Sequence, residues 1–333
     1  MNNRFYLQWH ITNKCNNRCT HCYQRGNYHG PEVSLEKFRA ILNDFLNLCG
    51  RLNANSYLAI TGGDPFLNNY FRPILEEAVS RCHWVSVLAN PEQVTEKNLE
   101  WMKPLKIKFF QVSLDGLENT HDAIRYPGSF KTTIAAIEAL AQTSIKPMVM
   151  STVSSTNYLE MPAVMEAAYA AGAKRWSFAR WTPPDGGDCG IGPKEYISFL
   201  ENILKIHSKY EKMGHDPVDK DPLTVLVNGS ECPSTIQKTV GGCGIGSSVL
   251  TILPDDTVMA CRRHPGSILG KWTPKKNLLY HFALNPKMKI FRQFENLDSC
   301  GNCKHLKHCR GCRAAAFSAT GNHFGKDPQC PLT

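Results

Sequence analysis

Three cysteines stand close together near the N-terminus, in the segment Cys15-Asn16-Asn17-Arg18-Cys19-Thr20-His21-Cys22-Tyr23. Thiolates are soft, strong ligands for iron and zinc. Three of them on one short loop can hold three irons of a cubane cluster, which leaves the fourth iron open to a small chelating molecule. A zinc site completed by His10 or His21 is the competing use of the same residues. Eight further cysteines crowd the last third of the chain: Cys232, Cys243, Cys261, Cys300, Cys303, Cys309, Cys312 and Cys330. Only Cys49, Cys82 and Cys189 lie between the two groups. Disulfide staples would not need that segregation, whereas two metal-binding regions would. The N-terminus, MNNRFYLQWHITNKC, has no basic-then-apolar secretory pattern, so metal binding is favoured over a disulfide framework.

A loop that holds a cluster must itself be held by regular elements, and the sequence supplies an alternation of them. Strand patterns are expected at 5–10, 56–61, 84–88, 108–114, 147–153 and 175–181. Helical patterns are expected between them at 34–48, 69–81, 95–102, 130–142 and 158–171, with Ser34 and Thr95 as N-caps and Gly172 as a C-terminal stop. This is an α/β chain in which strand-then-helix repetition implies a parallel sheet with right-handed crossovers. Six units rather than eight suggest a partial, open (β/α)6 barrel, with reactive groups at the C-terminal ends of the strands. The cysteine loop directly follows the first strand and obeys that rule. After 181 the character changes to a Gly/Pro-rich loop, one helix over 194–213, and then short strands, turns and cysteines. A hairpin is expected from 249–253 and 257–261 around Pro254-Asp255-Asp256. The expected division is residues 1–213 as barrel and 214–333 as a small cysteine-rich domain, in which metal supplies stability that a thin core cannot.

Other strand ends carry polar residues at matching places. Thr61-Gly62-Gly63-Asp64-Pro65 ends the second strand, Asn90 follows the third, and Ser113 and Asp115 follow the fourth. Then come His121-Asp122-Ala123-Ile124-Arg125 and Gly128-Ser129-Phe130. Together with the Cys15, Cys19 and Cys22 spacing and the adjoining Tyr23, these motifs resemble the radical S-adenosylmethionine (SAM) superfamily. The resemblance implies that these three cysteines hold a catalytic [4Fe-4S] cluster. Its open iron would bind the amino and carboxylate groups of SAM, and reductive cleavage would give a 5′-deoxyadenosyl radical. It also implies SAM contacts by Tyr23, Gly62, Gly63, Asp64, Asn90, Ser113, Asp115, Arg125 and Val153. Asp64 stands where the family's motif carries Glu, and the resemblance implies that Arg125 would clamp the SAM carboxylate, to which a guanidinium fork is suited.

The C-terminal cysteines, ending Cys309-Arg310-Gly311-Cys312-Arg313-Ala314 and Asp327-Pro328-Gln329-Cys330, resemble the SPASM domain of peptide-modifying radical SAM enzymes. That resemblance implies one or two auxiliary [4Fe-4S] clusters. The first would use Cys243, Cys261, Cys312 and Cys232, and the second Cys300, Cys303, Cys309 and Cys330. Asp256 occupies the hairpin position where the family has Gly. The expected substrate is a ribosomally made peptide, modified by cross-linking, oxidation or epimerisation. The same C-terminal ending also resembles radical SAM enzymes of haem synthesis, which decarboxylate a tetrapyrrole, and maturation of a redox enzyme is a further reading. A non-catalytic iron–sulfur carrier would not need the Gly-Gly-Asp-Pro turn or the Ser113/Asp115 pair.

Cys189 and Asp185, in the loop after the sixth strand, are expected at the barrel mouth as hydrogen-atom donor and base. Arg180 and Trp181 are expected to contact substrate or the SAM ribose. The resemblance implies a flavodoxin- or ferredoxin-type electron donor. With the barrel beginning at Phe5, a leader peptide would be recognised by the barrel, by a separate protein, or not at all. The net charge of +9 is scattered, with no block of like charges, so nucleic acid is not an expected partner. No apolar run of membrane-spanning length occurs, and a cytoplasmic setting is expected.

Overall fold

The computed structural model describes residues 3–24, 26–216, 221–228 and 242–332. Six parallel strands follow in chain order: β1 (Asn3–His10), β2 (Ala54–Thr61), β3 (Trp84–Leu88), β4 (Ile107–Ser113), β5 (Lys146–Val153) and β6 (Arg175–Arg180). Between and after them run helices α1 (Leu35–Arg51), α2 (Phe71–Arg81), α3 (Glu96–Met102), α4 (Glu118–Ile124), α5 (Ser129–Ala141), α6 (Met161–Ala170) and α7 (Pro193–Glu211). The C-terminal part adds α8 (Val225–Asn228), strands β7 (Val249–Ile252), β8 (Thr257–Met259) and β9 (Ile268–Lys271), and helices α9 (Pro286–Ile290) and α10 (Arg313–Thr320).

Alternation along β1 shows why the sheet forms. Phe5, Leu7 and Trp9 are buried on the helix side, where Trp9 stacks on Phe38 of α1 with ring centroids 4.7 Å apart. The intervening Tyr6 and Gln8 face the opposite side and line a cavity. A period of two thus separates core from site within a single strand. Caps fix the helix starts: the Ser34 hydroxyl accepts from the Lys37 N–H at 3.2 Å, and Thr95 does the same for Asn98 at 3.3 Å. Gly172 has φ of +99° after α6, a left-handed stop that glycine adopts without a Cβ penalty.

The sheet order is β6-β5-β4-β3-β2-β1-β7-β8-β9, so the sheet is open, with β6 and β9 as its edges. Residues of β1, β4, β5 and β6 nevertheless line one cavity, which requires the sheet to curve around it. β7 pairs in parallel with β1, from Tyr6 opposite Val249 to Trp9 opposite Ile252. The expected hairpin is present as antiparallel β7 and β8, and it continues the barrel sheet. Asp256 in its turn has φ of +69°, which explains a position usually given to Gly, and its carboxylate pairs with Lys37 at 2.7 Å. No helix is expected from the sequence at 118–124. The structure has α4 there, a short helix whose amphipathic signal is too brief to read. Residues 158–160 form a separate 3-10 turn ahead of α6, because Pro162 in the first turn of α6 has no N–H to donate backwards. Among the described residues no helix is long and apolar enough to cross a membrane.

Candidate active site

The cysteine loop leaves the C-terminal end of β1 and is strapped to the end of β2. The Gly63 N–H donates to the Thr12 carbonyl at 2.9 Å, and the Asp64 N–H to that of Lys14 at 2.8 Å. The approach is close enough to require glycine. A Cβ on Gly62 would stand 2.3 Å from the Thr12 oxygen, and one on Gly63 2.3 Å from the Lys14 oxygen.

Each of the three thiols faces at least one N–H donor. Asn90 Nδ2 lies 3.6 Å from Cys15 Sγ, Arg125 Nη1 lies 3.7 Å from Cys19 Sγ, and the Gln24 N–H lies 3.4 Å from Cys22 Sγ. Donors aimed at sulfur stabilise thiolates and tune a cluster that they ligate. Burial pushes the Cys15 and Cys19 thiols up from their usual range, so as free acids they are protonated, and metal binding would release those protons. The residues therefore fit a cubane held by Cys15, Cys19 and Cys22. Among the described residues, no three His, Cys, Asp or Glu side chains converge closely enough to hold a single metal ion. Ligands on separate corners of a cluster stand wider apart than that.

Behind the loop lies an ion-pair knot. Arg125 Nε and Nη2 lie 2.7 and 2.6 Å from Asp115 Oδ2, and His21 Nε2 lies 3.4 Å from the same oxygen. Thr152 N–H donates to Asp115 Oδ1 at 2.7 Å, and Asn157 Nδ2 donates to the Asp115 carbonyl at 2.7 Å. Burial alone would raise the Asp115 carboxyl, but Arg125 and His21 hold it well below the usual carboxylate range. Asp115 is thus a fixed anion that aims Arg125 at Cys19.

A cavity of about 360 Å³ opens above this loop and runs across the strand ends. Cys15, Cys19, Cys22, Tyr23, Gly62, Gly63, Asn90, Ser113 and Arg125 all line it. Three residues expected as SAM contacts sit differently, and the first is Asp115, which is buried in the ion-pair knot and does not line the cavity. Asp64 is fully buried, its carboxylate taken by the Phe66 N–H at 3.0 Å and by Gln93 Nε2 at 2.9 Å, and burial raises it to about 6. Val153 packs in the core, while its neighbour Thr152 faces the cavity, as strand alternation dictates. Cys189 is 2% exposed within the apolar core, and burial pushes its thiol up to about 11; Asp185 is exposed on the loop. Neither is among the residues lining the cavity.

Arg180 and Trp181, expected to contact substrate or the SAM ribose, both line the cavity, and Arg180 is also a tie. Its guanidinium is buried between Asp327, at 2.6 and 2.9 Å, and Asp221, at 2.9 Å, with Gln329 Oε1 at 2.8 Å. Asp327 also accepts from the Cys312 N–H at 2.6 Å. The end of β6 is thereby bolted to the C-terminal cysteine segment.

That segment contributes to the same cavity through Cys261, Arg262 and Arg263, on the turn after β8. Nothing in the sequence marked these arginines, because only folding brings the turn over the barrel mouth. Cys261 neighbours Cys243 and Cys312, whose thiol groups act electrostatically on it, and Arg263 Nη2 lies 3.8 Å from Cys312 Sγ. Cys300, Cys303, Cys309 and Cys330 line a second, small cavity together. N–H donors again meet sulfur there: His305 at Cys303, 3.5 Å, and Gly311 at Cys309, 3.3 Å. Cys232 lies outside the described residues.

An open parallel α/β barrel with three thiols on the loop after its first strand, beneath a cavity along the strand ends, is the arrangement that the resemblance to the radical SAM superfamily implies. Residues 9–162 match the radical SAM superfamily. Among curated relatives, it is 27% identical over 267 residues to the antilisterial bacteriocin subtilosin biosynthesis protein AlbA of Bacillus subtilis, covering 78% of this chain and 55% of that one. The chain thus spans little more than half of AlbA's length. It is 24% identical to the AdoMet-dependent heme synthase of Methanosarcina barkeri, covering 97% of this chain and 95% of that one. The fold resembles that of Streptococcus suis SuiB bound to precursor peptide SuiA, with a TM-score of 0.77 at 15% identity over 100% of this chain and 77% of SuiB.

Proposed function

We propose that this chain is a radical SAM peptide maturase whose auxiliary iron–sulfur clusters sit beside the substrate. The observation that carries the reading is the continuity of one cavity, from Cys15, Cys19 and Cys22 across the strand ends to Cys261 and Arg263. Bound at the first loop, a cluster with SAM would supply a 5′-deoxyadenosyl radical able to abstract hydrogen. The chain's own residues hold and shield that chemistry. Cys15, Cys19 and Cys22 ligate, Asn90 and Arg125 donate to their sulfurs, and Gly62 and Gly63 let the SAM methionine group approach the backbone. Ser113 and Thr152 flank the other side of the cavity. Cys243, Cys261 and Cys312, with or without Cys232, form one auxiliary ligand set, and Cys300, Cys303, Cys309 and Cys330 the other. A peptide substrate is supported by AlbA and by SuiB with its precursor peptide. Near full-length coverage of a heme synthase supports the second reading, oxidative decarboxylation of a tetrapyrrole. A flavodoxin- or ferredoxin-type donor would supply the electron under either reading.

The test starts with anaerobic reconstitution, counting iron and sulfide. About twelve irons per chain supports three cubanes, and about eight removes one auxiliary site. Incubation with SAM, reductant and either a precursor peptide encoded beside the gene or a propionate-bearing iron porphyrin then separates the readings by the mass change of each substrate. Absence of 5′-deoxyadenosine under all conditions would overturn both.

A further inference from the structure

Four arginines line the cavity: Arg125, Arg180, Arg262 and Arg263. Three are engaged by groups of the protein. Arg125 is held by Asp115, and Arg180 by Asp221 and Asp327. Arg263 donates to the Arg180 carbonyl at 3.1 Å and to Cys312 Sγ at 3.8 Å. Arg262 differs. Its guanidinium lies over the Tyr23 ring, 4.4 Å from the centroid, and its Nε is buried without a hydrogen-bond partner. Among the described residues no carboxylate pairs with it. Stacking uses the face of the guanidinium and leaves its in-plane N–H donors unspent. A buried donor with no acceptor is costly, and a cation in a cavity is retained where something anionic comes to meet it.

Resting on the peptide-maturase reading, we propose that Arg262 receives a carboxylate of the substrate, an Asp or Glu side chain near the residue to be modified. Its place supports the substrate rather than SAM as the source. Arg262 follows Cys261 on the C-terminal side of the cavity, whereas Gly62, Gly63 and Arg125 form the barrel side. The stack on Tyr23, next to Cys22, sets the distance between the anchored carboxylate and the loop where the radical would arise. The arginine would thereby choose which residue is presented.

The experiment uses the reconstituted full chain and two degenerate heptapeptide pools, capped at both ends, with a fixed central Glu or a fixed central Gln among neutral residues. Equilibrium dialysis with mass spectrometry measures retention, in parallel with retention of SAM. A charge-assisted bond predicts about tenfold or greater preference for the Glu pool. The preference should vanish in Arg262→Gln and persist in part in Arg262→Lys, with SAM retention equal in all three proteins. Equal retention of the two pools by the unmodified protein overturns the proposal, as does an undiminished preference in Arg262→Gln. Loss of SAM retention in Arg262→Gln would also overturn it, by assigning the guanidinium to the cofactor. Failure of the unmodified protein to retain SAM would instead defeat the enzyme reading on which the proposal rests.

Discussion

Replacing Arg180 with Met should destabilise the protein by about 3–5 kcal/mol, because it strands buried carboxylates without their counter-charge. The structure sets the magnitude. The Arg180 side chain is fully buried, as is that of Asp327, and Asp221 is nearly so. Asp327 would keep the Cys312 and Gln329 N–H donors at 2.6 and 3.1 Å, and Asp221 would keep the Tyr196 hydroxyl at 2.8 Å. Those bonds limit the loss but do not neutralise two anions. A cost of that size is a large part of a domain's total stability of roughly 5–15 kcal/mol. The assay is urea unfolding followed by circular dichroism, on the single variant, on Asp327→Asn and on the double variant. The cycle should return a coupling of about 1–3 kcal/mol. Because the pair is shielded from solvent, added salt should change it little. Burial alone would raise the Asp327 carboxyl, but Arg180 holds it below the ordinary range. Its contribution is therefore present above the unfolded carboxyl pKa of about 4 and lost as pH falls through the depressed folded value. A loss under about 1 kcal/mol, or one that salt abolishes, would refute the reasoning by showing the tie to behave as a surface pair.

Gly63→Ala should cost the N-terminal cluster, since the new Cβ would meet the Lys14 oxygen at 2.3 Å and push the cysteine loop away; iron content should fall by about four per chain while C-terminal iron remains. Cys22→Ala should abolish SAM cleavage with C-terminal iron retained, and loss of all iron would argue against independent sites. Cys309→Ala should spare uncoupled SAM cleavage but stop product formation, checked by separate chromatography of 5′-deoxyadenosine and product. Asp64, raised to about 6 by burial, favours folding below pH 4 and loses that contribution as pH rises through 6. Asp64→Asn should flatten the stability profile between those limits, and an unchanged slope in urea titrations would show that the carboxyl is not buried as described.

The cysteine-loop half of the site was legible in the sequence because its signals are local. Cys15, Cys19 and Cys22 sit on one loop, Gly62 and Gly63 on one turn, and each follows a strand whose apolar alternation is visible without a partner. Local periodicity also placed β1 to β6 within one or two residues at most ends, since core-facing residues such as Phe5, Leu7 and Trp9 must recur every second position. What the sequence could not carry is pairing between distant segments. Nothing local says that Val249 lies beside Tyr6, that Arg180 reaches across 147 residues to Asp327, or that the turn bearing Arg262 closes over Tyr23. The same limit explains Asp64 and Cys189, whose types suggested contact with ligand or substrate but whose carboxyl and thiol the fold turned inward. Residue type and spacing determined which chemistry this chain is equipped for. Packing of the C-terminal segment against the strand ends decided which charges are spent on holding the protein together and which are left without a carboxylate partner, because burial and pairing are properties of the folded chain alone.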